Sequence, residues 1–398
     1  MKSEFYTASK DGDKAKEFVI KAKKIANIMA ANYNQKKNAY EASLVSFNKS
    51  GSLDIGRIHS YKTSDDIFMK KKIVNQGKSH GLVCALDFSV SMRSLLNPIA
   101  MQFLITSLFC KYAKIDFRFF TFTSISLYGN KQNSAYKFLL AGGDKYARFV
   151  DIGNNTMSES ELINSYYDIL SFNQLNNIHK YPNTFSDKYK NYILKKFGSM
   201  GGTPLIPAMY QSYLVSKWMQ DTGIQNVKIL IINDGDNNSM FKTDASPTSI
   251  EDPYSKRIYP NEGSTSDSLL SSINKMARDN NIDTFNLFLG NQMSEGKLKS
   301  ILSDYAHIHG NSKVTFKTSD VSTLYTKLVN DSICNIDNLC YYNKVVIADA
   351  YNFPRFNDKS NKNSSNYDIK KNAKEIKSLT TIGKLISDFM VKDFRYVK

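Results

Sequence analysis

The chain has 398 residues, 41% of them hydrophobic, and 53 Lys and Arg against 37 Asp and Glu give a formal net charge of +16. That is enough for one large folded domain with appendages or for two, and the charge favours an acidic partner, whether protein or nucleic acid. No run reaches the roughly 18 apolar residues of a membrane span and the start lacks the apolar core of a signal peptide, while the cysteines at 84, 110, 334 and 340 are too few for a disulfide framework; a soluble cytoplasmic protein is expected.

Residues 13 to 48 read as a helix, because Phe18, Val19, Ala22, Ile25, Ala26 and Met29 recur at helical spacing. From residue 81 the pattern changes to apolar strands alternating with helical segments. Strands are predicted at 81 to 87, 115 to 123, 146 to 152, 227 to 233, 283 to 289 and 313 to 317. Helices are predicted near 91 to 111, 158 to 170, 186 to 197, 205 to 220, 266 to 280, 294 to 303 and 319 to 333. Strands apolar on both faces and separated by helices imply an α/β fold with three layers, a doubly wound, mostly parallel sheet covered on both sides. Residues 235 to 265 form a long polar loop, and 356 to 373 a polar linker before a short helix at 374 to 391 with Ile376, Leu379, Ile382, Leu385 and Ile386 on one side. The expected organisation is an N-terminal helical and extended segment (1–77), a main domain (78–335) and a C-terminal extension (336–398).

Chemistry concentrates where predicted strands end. Asp87, Ser89 and Ser91, in a D-x-S-x-S arrangement, follow the first core strand, and alternate residues of an extended turn point the same way. The plainer reading of the serines is N-capping of the next helix. In "SMGGTPLIPAMY", Thr203 follows a glycine pair just before a helix; in "ILIINDGDNN", an apolar strand ends in Asp234. At one edge of a parallel sheet these segments bring together five oxygen-bearing side chains, a hard donor set that suits Mg²⁺ or Mn²⁺. Asp236 is a candidate for tuning the ion through hydrogen bonds to its ligands.

These residues resemble the metal-ion-dependent adhesion site of a von Willebrand factor A domain, a Rossmann-like fold. The resemblance implies Asp87, Ser89, Ser91, Thr203 and Asp234 as metal-binding residues, with one coordination position open for a partner carboxylate. Upstream, Lys49-Ser50-Gly51 with Leu53 and Asp54, "HSYK" (59–62), "DDIF" (65–68) and "GKSHG" (77–81) are similar to the segment that precedes the A domain in cobaltochelatase CobT-like proteins, particularly those of large tailed bacteriophages. The similarity spans about residues 20 to 350 but lacks the long acidic region of the bacterial subunit. It implies a non-catalytic subunit whose partner is an AAA+ ATPase of the CobS/MoxR type or its substrate, acting in the cytoplasm, the host's if phage-encoded.

Two other readings stay open: RNA binding through a basic surface, as in Ro-like A-domain proteins, and a true cobaltochelatase subunit. No catalytic residue is assigned: no G-x-S-x-G elbow or phosphate loop occurs. His307 and His309 read as a polar loop, Cys334 and Cys340 as ordinary packing, Asp65 and Asp66 as a capped turn, and His59 and His80 as contacts between the N-terminal segment and the main domain.

Overall fold

A computed structural model describes residues 12–43, 45–53, 55–56, 62, 68–74, 79–126, 138–139, 145–176, 185–234, 249–260, 269–290, 293–308, 318–331, 333–337, 342, 344–349, 383 and 385–390. Its centre is the apolar run predicted at 81 to 87. This becomes strand β3 (His80–Asp87), every residue of which is buried. Before it stand helix α1 (Gly12–Ser43) and an antiparallel hairpin, β1 (Val45–Leu53) with β2 (Phe68–Val74). After it come α2 (Leu96–Tyr112), β4 (Asp116–Ser126), β5 (Phe138–Leu139), β6 (Lys145–Asn154), α3 (Glu159–Asn176), α4 (Asp187–Phe197), α5 (Leu205–Asp221) and β7 (Asn226–Asn233). A small hairpin, β8 (Ser249–Glu251) and β9 (Ile258–Pro260), precedes α6 (Leu269–Asp279), β10 (Asp283–Gly290), α7 (Glu295–Ile308), α8 (Thr318–Asp331), β11 (Ile333–Asp337) and β12 (Lys344–Asp349).

Among the described residues the main sheet has eight strands in the order β11-β12-β10-β7-β3-β4-β6-β5. The inner pairs β12/β10, β10/β7, β7/β3 and β3/β4 are parallel, whereas β6, β5 and β11 run antiparallel to their neighbours. Strand residues alternate between two apolar layers. Leu82, Leu86, Leu230 and Ile232 pack with α1 to α4, and Val83, Ala85, Ile229 and Ile231 pack with α5 to α8. This is the expected three-layer, doubly wound α/β arrangement around a mostly parallel sheet. Chain order moves from β3 to β4 on one side and later returns to β7 on the other. That reversal falls at the carboxyl ends of β3 and β7, the place where ligands bind in sheets of this kind.

Helix α1 belongs to the main core. Its stripe of Phe18, Val19, Ala22, Ile25, Ala26 and Met29 is buried, and Tyr33 meets both His80 and Phe109 edge-on, with ring centroids 6.1 and 5.9 Å apart. The far end of the chain joins the same layer. In the helical residues 385–390, Phe389 packs on Phe285 of β10 at 5.2 Å, and Asp388 pairs with Lys36 of α1 at 2.6 Å.

Several expectations need correction. The first helix stops at Ser43 instead of 48, because Val45 and Phe47 favour the extended hairpin that follows. The sheet continues past residue 335 to Asp349, since Val345 to Ala348 are buried against β10. Residues 249–260 of the expected polar loop form the β8/β9 hairpin, and α7 extends through His307 where a loop was read. The predicted strand at 313 to 317, the linker at 356 to 373, His59, Asp65, Asp66, His309, Cys340, Ile376, Leu379 and Ile382 lie outside the described residues.

Candidate metal centre

The site begins where β3 leaves the sheet. Phe88 anchors the exit by stacking on Phe172 and Phe197, at 5.7 and 5.5 Å, on the α1–α4 side. Alternation turns Asp87 and Ser89 the other way, and both are buried. The Ser89 N–H donates to Asp87 Oδ1 at 2.8 Å, and the Ser89 and Ser91 hydroxyls lie 2.9 Å apart. Ser91, exposed, opens a short 3₁₀ turn, Ser91–Leu95, leading into α2. Neither this turn nor α2 has a side-chain cap, so the serines do not serve as helix caps.

Thr203 arrives on a loop sewn to both β3 and β4. Ser89 bridges to Gly201, and the Val90 N–H donates to the Gly201 carbonyl at 2.8 Å. The Gly201 and Gly202 N–H groups donate to the Thr123 and Ser124 hydroxyls at 2.9 and 2.6 Å, and the Ser124 N–H returns to the Gly202 carbonyl at 3.0 Å. Position 201 must be glycine here, since a Cβ would collide with the Ser124 carbonyl oxygen. Thr123 and Ser124 were missed as site-forming residues. Their only signal is the change from aromatic to hydroxyl side chains at the end of "FRFFTFTS".

Asp234, partly exposed, follows β7 directly. Burial pushes the Asp87 pKa well above its ordinary value, and the charge of Asp234 pushes it further, against hydrogen bonding from Ser89 and the nearby Thr203 hydroxyl. Even so, Asp87 Oδ2 and Thr203 Oγ1, both fully buried, make no hydrogen bond of good geometry. The same holds for both polar atoms of Asn233, the last residue of β7. Unsatisfied buried polar groups cost on the order of 1–3 kcal/mol each, so a cluster at a strand end needs a reason.

The five predicted residues are thus brought to one edge of the sheet: Asp87 interacts with Ser89, Thr203 and Asp234, and Ser89 with Ser91. Two carboxylates and three hydroxyls, with acceptor oxygens left open, fit a hard divalent cation such as Mg²⁺ or Mn²⁺. Among the described residues no three His, Cys, Asp or Glu side chains gather as an alternative metal cluster. Asp236 lies outside the described residues.

The β8/β9 hairpin sits elsewhere. Asp252 and Tyr259 bond to Asn280 and Asp279, at the end of α6 that leads into β10. That is the edge of the sheet opposite Asp87, so residues 249–260 take no part in this site.

No protein-family model matches the chain, and no curated protein matches it. Among solved structures, it is similar over 65% of its length to the pilus adhesin SpaC from Lactobacillus rhamnosus GG (14% identity, TM-score 0.32). Human COPII-coat protein Sec24c is similar over 65% (10%, 0.27), and proximal thread matrix protein 1 from the mussel byssus over 63% (12%, 0.25). The matched regions span 30%, 33% and 46% of those proteins, less than half of each.

Proposed function

We propose that this protein is a metal-dependent interaction subunit of the CobT-like kind. In this reading Asp87, Ser89, Ser91, Thr203 and Asp234 hold Mg²⁺ or Mn²⁺ and so bind a partner carboxylate. The observation that carries it is the pair of fully buried oxygens, Asp87 Oδ2 and Thr203 Oγ1, which lie close to one another without a hydrogen bond of good geometry at the sheet edge where the strand order reverses. When bound, the cation supplies a Lewis-acidic position for a carboxylate oxygen. The chain's own contribution is a fixed cradle: Ser89 and the Gly201–Gly202 loop hold the hydroxyls, and burial keeps competing water from Asp87. Val90, 51% exposed between the two serines, offers an apolar contact beside the ion position.

The partner proposed is an AAA+ ATPase of the CobS/MoxR type, or its substrate, in the cytoplasm; the similarity of residues 49–81 to CobT-like proteins motivates that choice. Among the described residues no helix is long and apolar enough to cross a membrane. The net charge of +16 keeps RNA binding as the second reading. The two separate in one binding assay. Metal-mediated docking is abolished by chelator at constant ionic strength and by an Asp87→Ala, Asp234→Ala double variant. RNA binding ignores chelator and falls steeply with salt. Equal binding of the ATPase by wild type and double variant overturns the proposal.

A further inference from the structure

Strand β7 ends in an asparagine whose place in an apolar run calls for a cause. Asn233 is fully buried, and neither its Oδ1 nor its Nδ2 has a hydrogen-bond partner. Leucine would fill similar space without stranding an amide. Register places Asn233 beside Asp87: β3 and β7 pair through Leu86 and Ile232, one step before these two residues. The two also share a face. Val83 and Ala85 of β3, Ile229 and Ile231 of β7, and Phe288, which pairs with Asn233, all belong to the layer under α5. Alternation puts Asp87 and Asn233 on that same face, next to the turn that carries Thr203 into α5.

Three buried groups without a hydrogen bond of good geometry therefore share that corner: a carboxylate oxygen, a hydroxyl and an amide. We infer that Asn233 is a positioning residue of the candidate ion site, its amide set beside Asp87 to order, through Oδ1, the hydration water of a divalent cation held there. A hydrated cation suits this mixture because it brings positive charge to Asp87 and Asp234 and O–H donors to the amide oxygen. The inference rests on the ion-binding reading of the same site and adds a sixth residue to it.

The test compares wild type with Asn233→Leu, and with Asn233→Ala should leucine not fit. Mg²⁺ affinity is measured by calorimetry, water-proton relaxation with Mn²⁺ in the site, and thermal unfolding without metal. The expected result is Mg²⁺ affinity at least about tenfold weaker, as for other residues that support metal ligands. An altered Mn²⁺ relaxation signal per bound ion should accompany it, with Asn233→Leu melting no lower than wild type when metal-free. A purely structural asparagine, or one that holds only a trapped water, leaves affinity and relaxation unchanged, and that outcome overturns the inference. Wild type that binds no ion defeats the ion reading itself; wild type and variants that bind alike defeat only the role of Asn233.

Discussion

Asp87 and Asp252 are both aspartates with no exposed surface, at opposite edges of the same sheet, and the chain treats them in opposite ways. Asp252 turns the β8/β9 hairpin. Its carboxylate accepts from the Tyr254 N–H at 3.1 Å, the Ser255 hydroxyl and Asn280 Nδ2 at 3.4 Å, while its own N–H and carbonyl bond to Arg257 and Lys256. Burial raises its pKa, but the bonds from Ser255, Tyr254, Tyr213 and Asn280 outweigh burial and hold it below the ordinary value. Asp87 has the Ser89 N–H on one oxygen, no bond of good geometry on the other and a second carboxylate nearby; the hydroxyls of Ser89 and Thr203 do not offset burial, and its pKa is driven up. A carboxylate that only builds the fold collects its hydrogen bonds locally. One left short, beside other groups left short, is what the proposed cation would complete.

That contrast can be broken by substitution. The largest effect on the fold around the site is expected from Gly201→Ala, which drives a methyl group into the Ser124 carbonyl and displaces the loop bearing Thr203. Overpacking of this kind costs about 1–3 kcal/mol. Thermal unfolding and Mg²⁺ titration should show stability and affinity falling together. Asp252→Ala removes the acceptor of the Tyr254 N–H and of the Ser255 hydroxyl, for a loss of about 1–3 kcal/mol in urea unfolding. Mg²⁺ affinity should not move, because the hairpin lies at the other edge; a shared loss would mean the two carboxylates are not separate in function.

A subtler test uses pH. The folded pKa of Asp252 is depressed, so its contribution is present above the unfolded carboxylate range, about pH 4, and is lost as pH falls through the lower folded value. Amide protection of residues 249–260, corrected for the intrinsic pH dependence of exchange, should therefore fall on acidification from pH 6 to 3 more in wild type than in Asp252→Asn. The smallest effect belongs to Arg257→Ala. Its guanidinium, 60% exposed, pairs with Asp279 at 2.8 Å and should contribute at most about 1 kcal/mol to urea stability.

How far the sequence could be read follows from the same physics. The runs at 81 to 87, 227 to 233 and 283 to 289 are legible because a strand buried on both faces must be apolar throughout. β12 has only Val345 to Ala348 as its apolar run, too short to declare a strand until β10 lies beside it. The reversed direction of β6 leaves no mark in its composition. β8 and β9 are three residues each, closed by the side chain of Asp252, with Tyr259 buried and Ile250 packed in the α5–α8 layer, too few apolar residues to make a pattern. At the site, Asp87, Ser89, Ser91, Thr203 and Asp234 stand out as polar residues placed where strands end or helices begin. Thr123, Ser124 and Asn233 did not, since their importance depends on which strands are neighbours and in what register.

The central claim is that the unpartnered groups at the end of β3 await a cation. Isothermal titration of Mg²⁺ and Mn²⁺ into wild type and Asp87→Ala, with metal-free unfolding of both, addresses it most directly. The account predicts saturable binding by wild type, no binding by the variant, and a metal-free variant that melts no lower than wild type because a short-bonded buried carboxylate has been removed. Equal heats from the two folded proteins, or a variant that binds as wild type does, would contradict it.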